Sequence, residues 1–390
     1  MADIFRAHGP GWQQANAGHV GLTQFKVMSA IEACRTEALG GHVAGCANCG
    51  HHRIAYNSCN NRHCPKCQRP AARDWLAARA QDLLPIDYLH VALTLAAEIA
   101  QVAFWTKKPV YDLMFRVSAE TVMTIAADLK RLGARDAMAA VLHTWGSALT
   151  HHPHFHMIGP GGGLSLDCNR QIACRPGFFL HVQVLSRLSR RMFLEGLLAL
   201  HHSGQLAYFG DQSGLADIAT FTAGAAPFHK PEWVVYAKPA FGGPETVLAY
   251  LSRYIHRVAI SNSRLISADA QTVAFRWKDC RIRNGDRRSV IRLATDEFIW
   301  RFLIHVLPDG FHRIRHYDLL ASSARKTNIT KIRTLLGQVP PHAKPQTEVA
   351  VAPLTLRGPC PCCGGPVRTV EIFRRGQKPL SHAPPRKPVA

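Results

Sequence analysis

His151-His152-Pro153-His154-Phe155-His156, running on into Met157-Ile158-Gly159-Pro160-Gly161-Gly162-Gly163, is the stretch whose reading decides the fold. If residues 154–158 are extended, the two-residue period of a strand puts His154 and His156 on one face and Phe155 on the other. Two imidazoles then aim at one point and suit a divalent ion, while Phe155 anchors the opposite face in a core. The glycines that follow permit a sharp turn and the close approach of another chain or a substrate. A histidine-rich surface loop that holds nothing is the competing reading of the same residues.

Working outward, a chain of 390 residues that is 47% hydrophobic can bury a sizeable core in two or three structural units. Its net charge of +21, with 22 His besides, calls for an extended acidic partner, nucleic acid first. A basic surface serving solubility alone is the alternative. No apolar run reaches the length of a membrane span, and the polar start lacks the pattern of a secretory signal, so a cytoplasmic chain is expected.

The 12 Cys fall in pairs with metal-ligand spacing rather than as a disulfide framework. Cys46-Ala47-Asn48-Cys49-Gly50 and His63-Cys64-Pro65-Lys66-Cys67 are two Cys-x-x-Cys pairs separated by fourteen residues. Each forms one knuckle, and together Cys46, Cys49, Cys64 and Cys67 are expected to hold one tetrahedral structural Zn²⁺, with Cys59 and His63 as spare ligands. A redox pair would ask for one such motif between a strand and a helix. Cys34, Cys168, Cys174 and Cys280 stand alone and read as small buried hydrophobes. Arg53, Arg62, Lys66 and Arg69 interleave with the ligands, as in a zinc module that touches phosphates.

Taken in order, residues 20–39 carry helical spacing up to Gly40-Gly41, and residues 70–84 read as a helix opened by Pro70. Residues 88–95 are rich in strand formers, 110–132 read as a helix, and 138–145 as a strand that turns back into the histidine strand as an antiparallel hairpin. Residues 178–201 form a long amphipathic helix with Arg187, Arg190 and Arg191 on its polar face. A short strand over 232–238 and a helix over 243–258 follow. On that helix Tyr250 and Tyr254 stand one turn apart on one face, beside Arg253, His256 and Arg257. Aromatic core packing explains an isolated pair equally well. A histidine pair, a zinc module and a strongly basic chain are what a nuclease with a tyrosine nucleophile needs.

The sequence resembles transposases of the insertion sequence ninety-one family, the two-tyrosine, rolling-circle branch of the HUH (histidine, hydrophobic, histidine) endonucleases. The resemblance rests on NRHCPKCQ at 61–68, HPHFH at 152–156 with its GGGLS tail, YLSRYIHRVAISNSRL at 250–265 and EFIWRFLIHVLPDGFHRIRHYDLL at 297–320, in the family's order from about Gln24 to Thr334. Leu93-Thr94-Leu95-Ala96 departs from the family, which has an aromatic residue and a proline there. Cys360-Pro361-Cys362-Cys363-Gly364 resembles the half-knuckle near the family's C-terminus, and three thiols do not complete a site within that segment.

The resemblance implies an α+β fold, an antiparallel HUH-type sheet flanked by helices and preceded by a small zinc-binding domain. The chain is expected to divide into a zinc unit (1–86), an endonuclease domain (87–275), a basic C-terminal extension (276–340) whose Arg-rich hairpin RWKDCRIRNGDRRSVIRL extends the DNA-binding surface, and, from the Pro and Lys content beyond Pro340, a mobile basic tail (341–390) with a partial Cys knuckle. The resemblance implies single-stranded DNA at element ends and target as partner, with host replication or helicase factors alongside. Tyr250 and Tyr254 become the nucleophiles that form 5′-phosphotyrosine intermediates. His154 and His156 hold Mg²⁺ or Mn²⁺, with Glu245, His152 or His256 as third ligand. Arg253, Arg257, Arg62 and Lys66 are the expected phosphate contacts. A replication initiator or relaxase would share this chemistry, whereas a non-catalytic zinc and DNA binding protein would tolerate loss of both tyrosines.

Overall fold

A computed structural model describes residues 1–174, 181–230, 233, 235–239, 246, 249–250, 252, 255–279, 288–321, 323–337 and 358–380. The chain opens with helices α1 (Ala2–Ala15) and α2 (Leu22–Ala33), strands β1 (Gly41–Cys46) and β2 (His52–Tyr56), and helix α3 (Gln68–Arg79). The middle holds β3 (Tyr88–Thr94), α4 (Ala97–Trp105), α5 (Lys107–Ala127), β4 (Ala134–Arg135), β5 (Ala137–Trp145), β6 (His151–Pro160), β7 (Gly162–Ser165), β8 (Gln171–Ala173), α6 (Val182–His202), α7 (Ile218–Ala225) and β9 (Val235–Pro239). The last part has β10 (Leu265–Ala268), β11 (Thr272–Lys278), β12 (Arg288–Ala294), α8 (Thr295–Leu303), β13 (Ile314–Asp318), α9 (Arg325–Leu335) and β14 (Val367–Phe373). The architecture is α+β with antiparallel sheets, as the sequence leads one to expect.

The central sheet runs β13-β5-β6-β3-β9, antiparallel throughout, with the histidine strand β6 in the middle. On one face Leu89, Val91, Leu93, Leu142, Phe155 and Met157 meet helices α5 and α6 in the largest core. Phe155 is fully buried there, its ring 4.3 Å from that of Phe115. The register sets His156 beside Val141 on β5 and Ala92 on β3, and His154 beside His143 and Thr94. Those residues occupy the opposite face, because strand side chains alternate.

The glycines after β6 serve the chain's own packing. A Cβ at Gly159 would lie 2.0 Å from the Ala137 carbonyl oxygen, and one at Gly163 would lie 1.8 Å from that of Arg135. The backbone of β4 and β5, not a substrate, approaches here.

Elements pack across the expected division at 275/276: β13 is an edge strand of the central sheet, and one core joins α1, α2, Cys34, Cys64 and Cys67 to Ile260, Phe275 and Phe298. The tail is likewise not simply mobile, since β14 adds to the N-terminal sheet in the order β14-β1-β2. Helix 20–39 is shorter than its periodicity suggests. It stops at Ala33, where Cys34 turns to extended backbone and carries its thiol into a cysteine cluster. Helix α1 and helix α4 were not read from the sequence, whereas β3 and β5 fall within a residue of expectation and β6 runs from His151 to Pro160, beyond the expected 154–158 at both ends.

Because Phe155 fills the core from the one strand that also carries the histidines, Phe155→Ala should lower stability by about 3–5 kcal/mol. Denaturant unfolding monitored by circular dichroism measures this. A loss below about 1 kcal/mol would mean that β6 is not anchored through this ring.

Candidate active site

Strands β5 and β6 place the imidazoles of His143, His154 and His156 so that one ring nitrogen of each lies within 4.8 Å of the others. His143 was not singled out in the sequence, where it stands eleven residues before His154 with no motif around it. It is buried, stacked on Trp145 with ring centroids 4.9 Å apart, and projects from β5 directly opposite His154. Of the expected candidates for a third ligand, the two that are described do not join this group. His152 is exposed and gives its carbonyl to His154, His256 packs edge-on against Trp75, and Glu245 lies outside the described residues.

The rings are oriented by their second nitrogens. His154 Nδ1 lies 2.7 Å from the His152 carbonyl oxygen, which accepts its proton and leaves Nε2 free for an ion. His156 Nδ1 lies 2.9 Å from Nε2 of His90 on β3, with the rings nearly parallel. Desolvation by burial pushes His154 down to about 4 and His156 to about 2, so both are neutral and have lone pairs to offer at physiological pH. His90 is likewise pushed to about 4 by burial. Imidazoles from three strand positions, with their ring nitrogens within 4.8 Å of one another, are a fitting donor set for a divalent ion.

Tyr250 reaches the same face. Its ring stands edge-on to His90 with centroids 5.4 Å apart, and Tyr236 of β9 meets the other flank of His90 at 5.8 Å. The described positions Ala249, Tyr250, Ser252 and Ile255 are helical, in keeping with the spacing argument, while Arg253 and Tyr254 lie outside the described residues. Two buried contacts hold this segment. Ser252 Oγ donates to the Ala72 carbonyl of α3 at 2.8 Å, and Arg313 donates to the carbonyls of Ile255 and Arg257 at the segment's C-terminal end. The positive charge of Arg257 reaches His154 and His156 and helps to lower both.

Helix α3 starts one residue after Cys67, so a cysteine cluster is coupled to the tyrosine segment through Ala72. The expected set was Cys46, Cys49, Cys64 and Cys67; in the structure the two Cys-x-x-Cys motifs lie in different cysteine groups. Cys64 and Cys67 meet Cys34 and Cys59, with Cys34 and Cys59 each 3.5 Å from Cys67, while Cys46 and Cys49 meet Cys360 and Cys363. Thiolates around a tetrahedral Zn²⁺ at about 2.3 Å stand about 3.8 Å apart, which both groups approach. The side-chain hydrogen bond from Cys59 pulls Cys64 down to about 5, whereas burial pushes Cys34 up to about 11. Cys34 is therefore a ligand candidate and not a simple core residue. His63 is buried with Nε2 unpartnered and belongs to neither group.

The basic residues divide. Arg62 donates to the carbonyls of Pro308 and Phe311, and Lys66 Nζ lies 3.5 Å from the Cys34 carbonyl oxygen. Arg276, Lys278, Arg288 and Arg292 lie exposed on one face of the β11-β12 hairpin, a cationic row suited to a phosphate backbone. Arg264 and Arg301 donate to the carbonyls of Ser147 and Ala148 in the turn that feeds β6, so the region after 258 also shapes the histidine strand.

The comparisons with known proteins give the class, that of the transposases. Residues 137–328 match a family model described as "Putative transposase", and residues 4–95 match one described as "Transposase zinc-binding domain". The chain is 50% identical to "Putative transposase y4qJ" of Sinorhizobium fredii over 96% of its own length and 95% of that protein's. It is 26% identical to "Transposase for insertion sequence element IS801" of Pseudomonas savastanoi pv. phaseolicola, over 84% of this chain and 77% of that one. The chain belongs to the insertion sequence ninety-one family of transposases. No solved structure matches it. No helix among the described residues is long and apolar enough to cross a membrane.

Two predictions follow from this geometry. His143→Ala should weaken Mn²⁺ binding by calorimetry at least about tenfold, as should His154→Ala, while His152→Ala changes it little. Since burial lowers the histidine pKa values, protons compete weakly for the ligands. Affinity should stay flat from about pH 8 to pH 6, and fold stability should be flat above about pH 6.5 and decline as pH falls towards 4, where the unfolded chain protonates first. A steep loss of affinity around pH 6.5 would contradict the assignment. Separately, Cys34→Ser should remove one equivalent of zinc and Cys168→Ser none, measured by atomic emission on the purified protein. Full zinc in the Cys34 variant would exclude that thiol.

Proposed function

We propose that the chain cleaves and rejoins single-stranded DNA through 5′-phosphotyrosine intermediates, as the rolling-circle transposition chemistry of HUH enzymes requires. The observation that carries this reading is the placement of Tyr250 beside His90 on the sheet face that gathers His143, His154 and His156. The Tyr250 oxygen attacks the scissile phosphorus, the bond to the 3′ oxygen breaks, and the DNA leaves with a free 3′-hydroxyl. The phenolic proton passes to solvent, and the leaving oxygen takes one from it. A divalent ion on the three imidazoles, Mg²⁺ or Mn²⁺, supplies Lewis-acid stabilisation of the phosphate's developing charge.

Reversal of the same displacement by a DNA 3′-hydroxyl restores the phenol and joins the strand, with the bond energy conserved in the ester. Tyr254, one turn on in sequence, provides a second nucleophile for a second cleavage before exchange. Arg257 neutralises phosphate beside the histidines, and the β11-β12 row of Arg276, Lys278, Arg288 and Arg292 tracks the adjoining backbone. The Cys34, Cys59, Cys64 and Cys67 group binds structural zinc and fixes α3, against which the tyrosine segment lies.

Phe at 250 and 254 together should leave folding intact and abolish both nicking of a single-stranded oligonucleotide and covalent capture. Each single variant should retain some cleavage and fail to complete strand exchange. Mass spectrometry of the trapped complex should find DNA on Tyr250 or Tyr254 through a 5′ phosphate. Nicking by the double variant at the wild-type rate, without an adduct, would replace this reading with hydrolysis.

A further inference from the structure

The N-terminal zinc-binding match ends at residue 95 and the transposase match at 328, so neither includes the segment 358–380. Yet Cys360 and Cys363 stand against Cys46 and Cys49, with Cys46 Sγ 3.5 Å from Cys363 Sγ and Cys49 Sγ 3.6 Å from Cys360 Sγ. All four sulfurs lie within 4.8 Å of one another. The geometry points to a second, four-thiolate Zn²⁺ site that is shared between the two ends of the chain and separate from the Cys34, Cys59, Cys64 and Cys67 group.

Three further features support this assignment. The two halves are the same local structure. In each, a Cys-x-x-Cys-Gly run closes with a backbone bond from the glycine N–H to the first cysteine's carbonyl, Gly50 to Cys46 at 3.2 Å and Gly364 to Cys360 at 2.8 Å. Both glycines adopt positive φ, 69° and 71°, which a residue with a side chain rarely does. Such a turn points two sulfurs and the intervening amides at one point, and Asn48 N–H lies 3.4 Å from Cys46 Sγ. Cys64-Pro65-Lys66-Cys67-Gln68 lacks that glycine and runs into α3 instead, which explains why it finds different partners.

The scaffold around the four sulfurs is built for close docking of the tail. Strand β14 pairs with β1 from Gly41 opposite Phe373 to Cys46 opposite Val367, and Ala47 N–H donates to the Pro366 carbonyl at 3.1 Å. A Cβ at Gly40 would come within 2.6 Å of the Phe373 carbonyl oxygen, so this approach depends on glycine. Tyr56 meets Phe373 edge-on at 5.9 Å. Cys362 belongs to neither cluster and is exposed, which makes it an internal control. Binding of the ion releases the thiol protons to solvent and leaves four thiolates as ligands, so the N-terminal sheet is completed only when the last part of the chain is present.

The full-length protein, purified under reducing conditions, should carry two zinc ions by native mass spectrometry. One ion would overturn the proposal. In the same wild-type protein, alkylation should label Cys362 at once while Cys46, Cys49, Cys360 and Cys363 stay protected, and a chelator should expose these four together. Rapid labelling of Cys360 and Cys363 alongside Cys362, with Cys46 and Cys49 still protected, would also overturn it. Cys360→Ser with Cys363→Ser should reduce zinc from two to one, and Cys362→Ser should leave it at two. Two ions retained in the double variant would place the second zinc elsewhere.

Discussion

Everything at the site depends on the alternation of one strand. Phe155 cannot enter the core beneath α5 without turning His154 and His156 to the other face, because successive side chains of an extended chain point in opposite directions. A slip of one residue would bury two imidazoles among Phe115, Met114 and Leu93 and expose the phenyl ring. Packing energy therefore fixes the chemistry, and the neighbouring strands complete it. Register with β5 brings His143 opposite His154, and register with β3 brings His90 within hydrogen-bonding distance of His156.

The tyrosine is delivered to that face from elsewhere in the chain. Its segment is tied to α3 through Ser252 and to the start of β13 through Arg313, while α3 itself begins at the Cys64–Cys67 turn. A zinc-binding domain is thus coupled to a residue nearly two hundred positions away through the Ser252–Ala72 hydrogen bond and the packing of Trp75 on His256. The same zinc cluster shares a core with Trp145 and Leu149, which flank the turn leading into β6. Loss of order in that cysteine cluster would disturb both the tyrosine segment and the histidine strand at once.

How far this was legible in the sequence follows from the range of each interaction. The histidine strand, β3, β5 and the long helices could be read because their signals are local periods of apolar residues. His90 and His143 could not, since they become site residues only through strand register. Read alone, each is a polar residue in an apolar run, and the one available sign was that both sit in strands expected to neighbour the histidine strand. The cysteines misled for a related reason. Spacing alone favoured joining two motifs fourteen residues apart, whereas the fold joins Cys46 to Cys363 and recruits the isolated Cys34. Arg62 shows the same limit, for a guanidinium beside zinc ligands serves phosphate or backbone carbonyls equally well until its neighbours are known.

Anomalous diffraction from crystals soaked in Mn²⁺ tests the central claim most directly, because it locates the ion without relying on activity. The account predicts a peak coordinated by the imidazoles of His143, His154 and His156, on the face that carries Tyr250. A metal-loaded crystal with no peak at those three rings, or with Mn²⁺ bound by other residues, would contradict it.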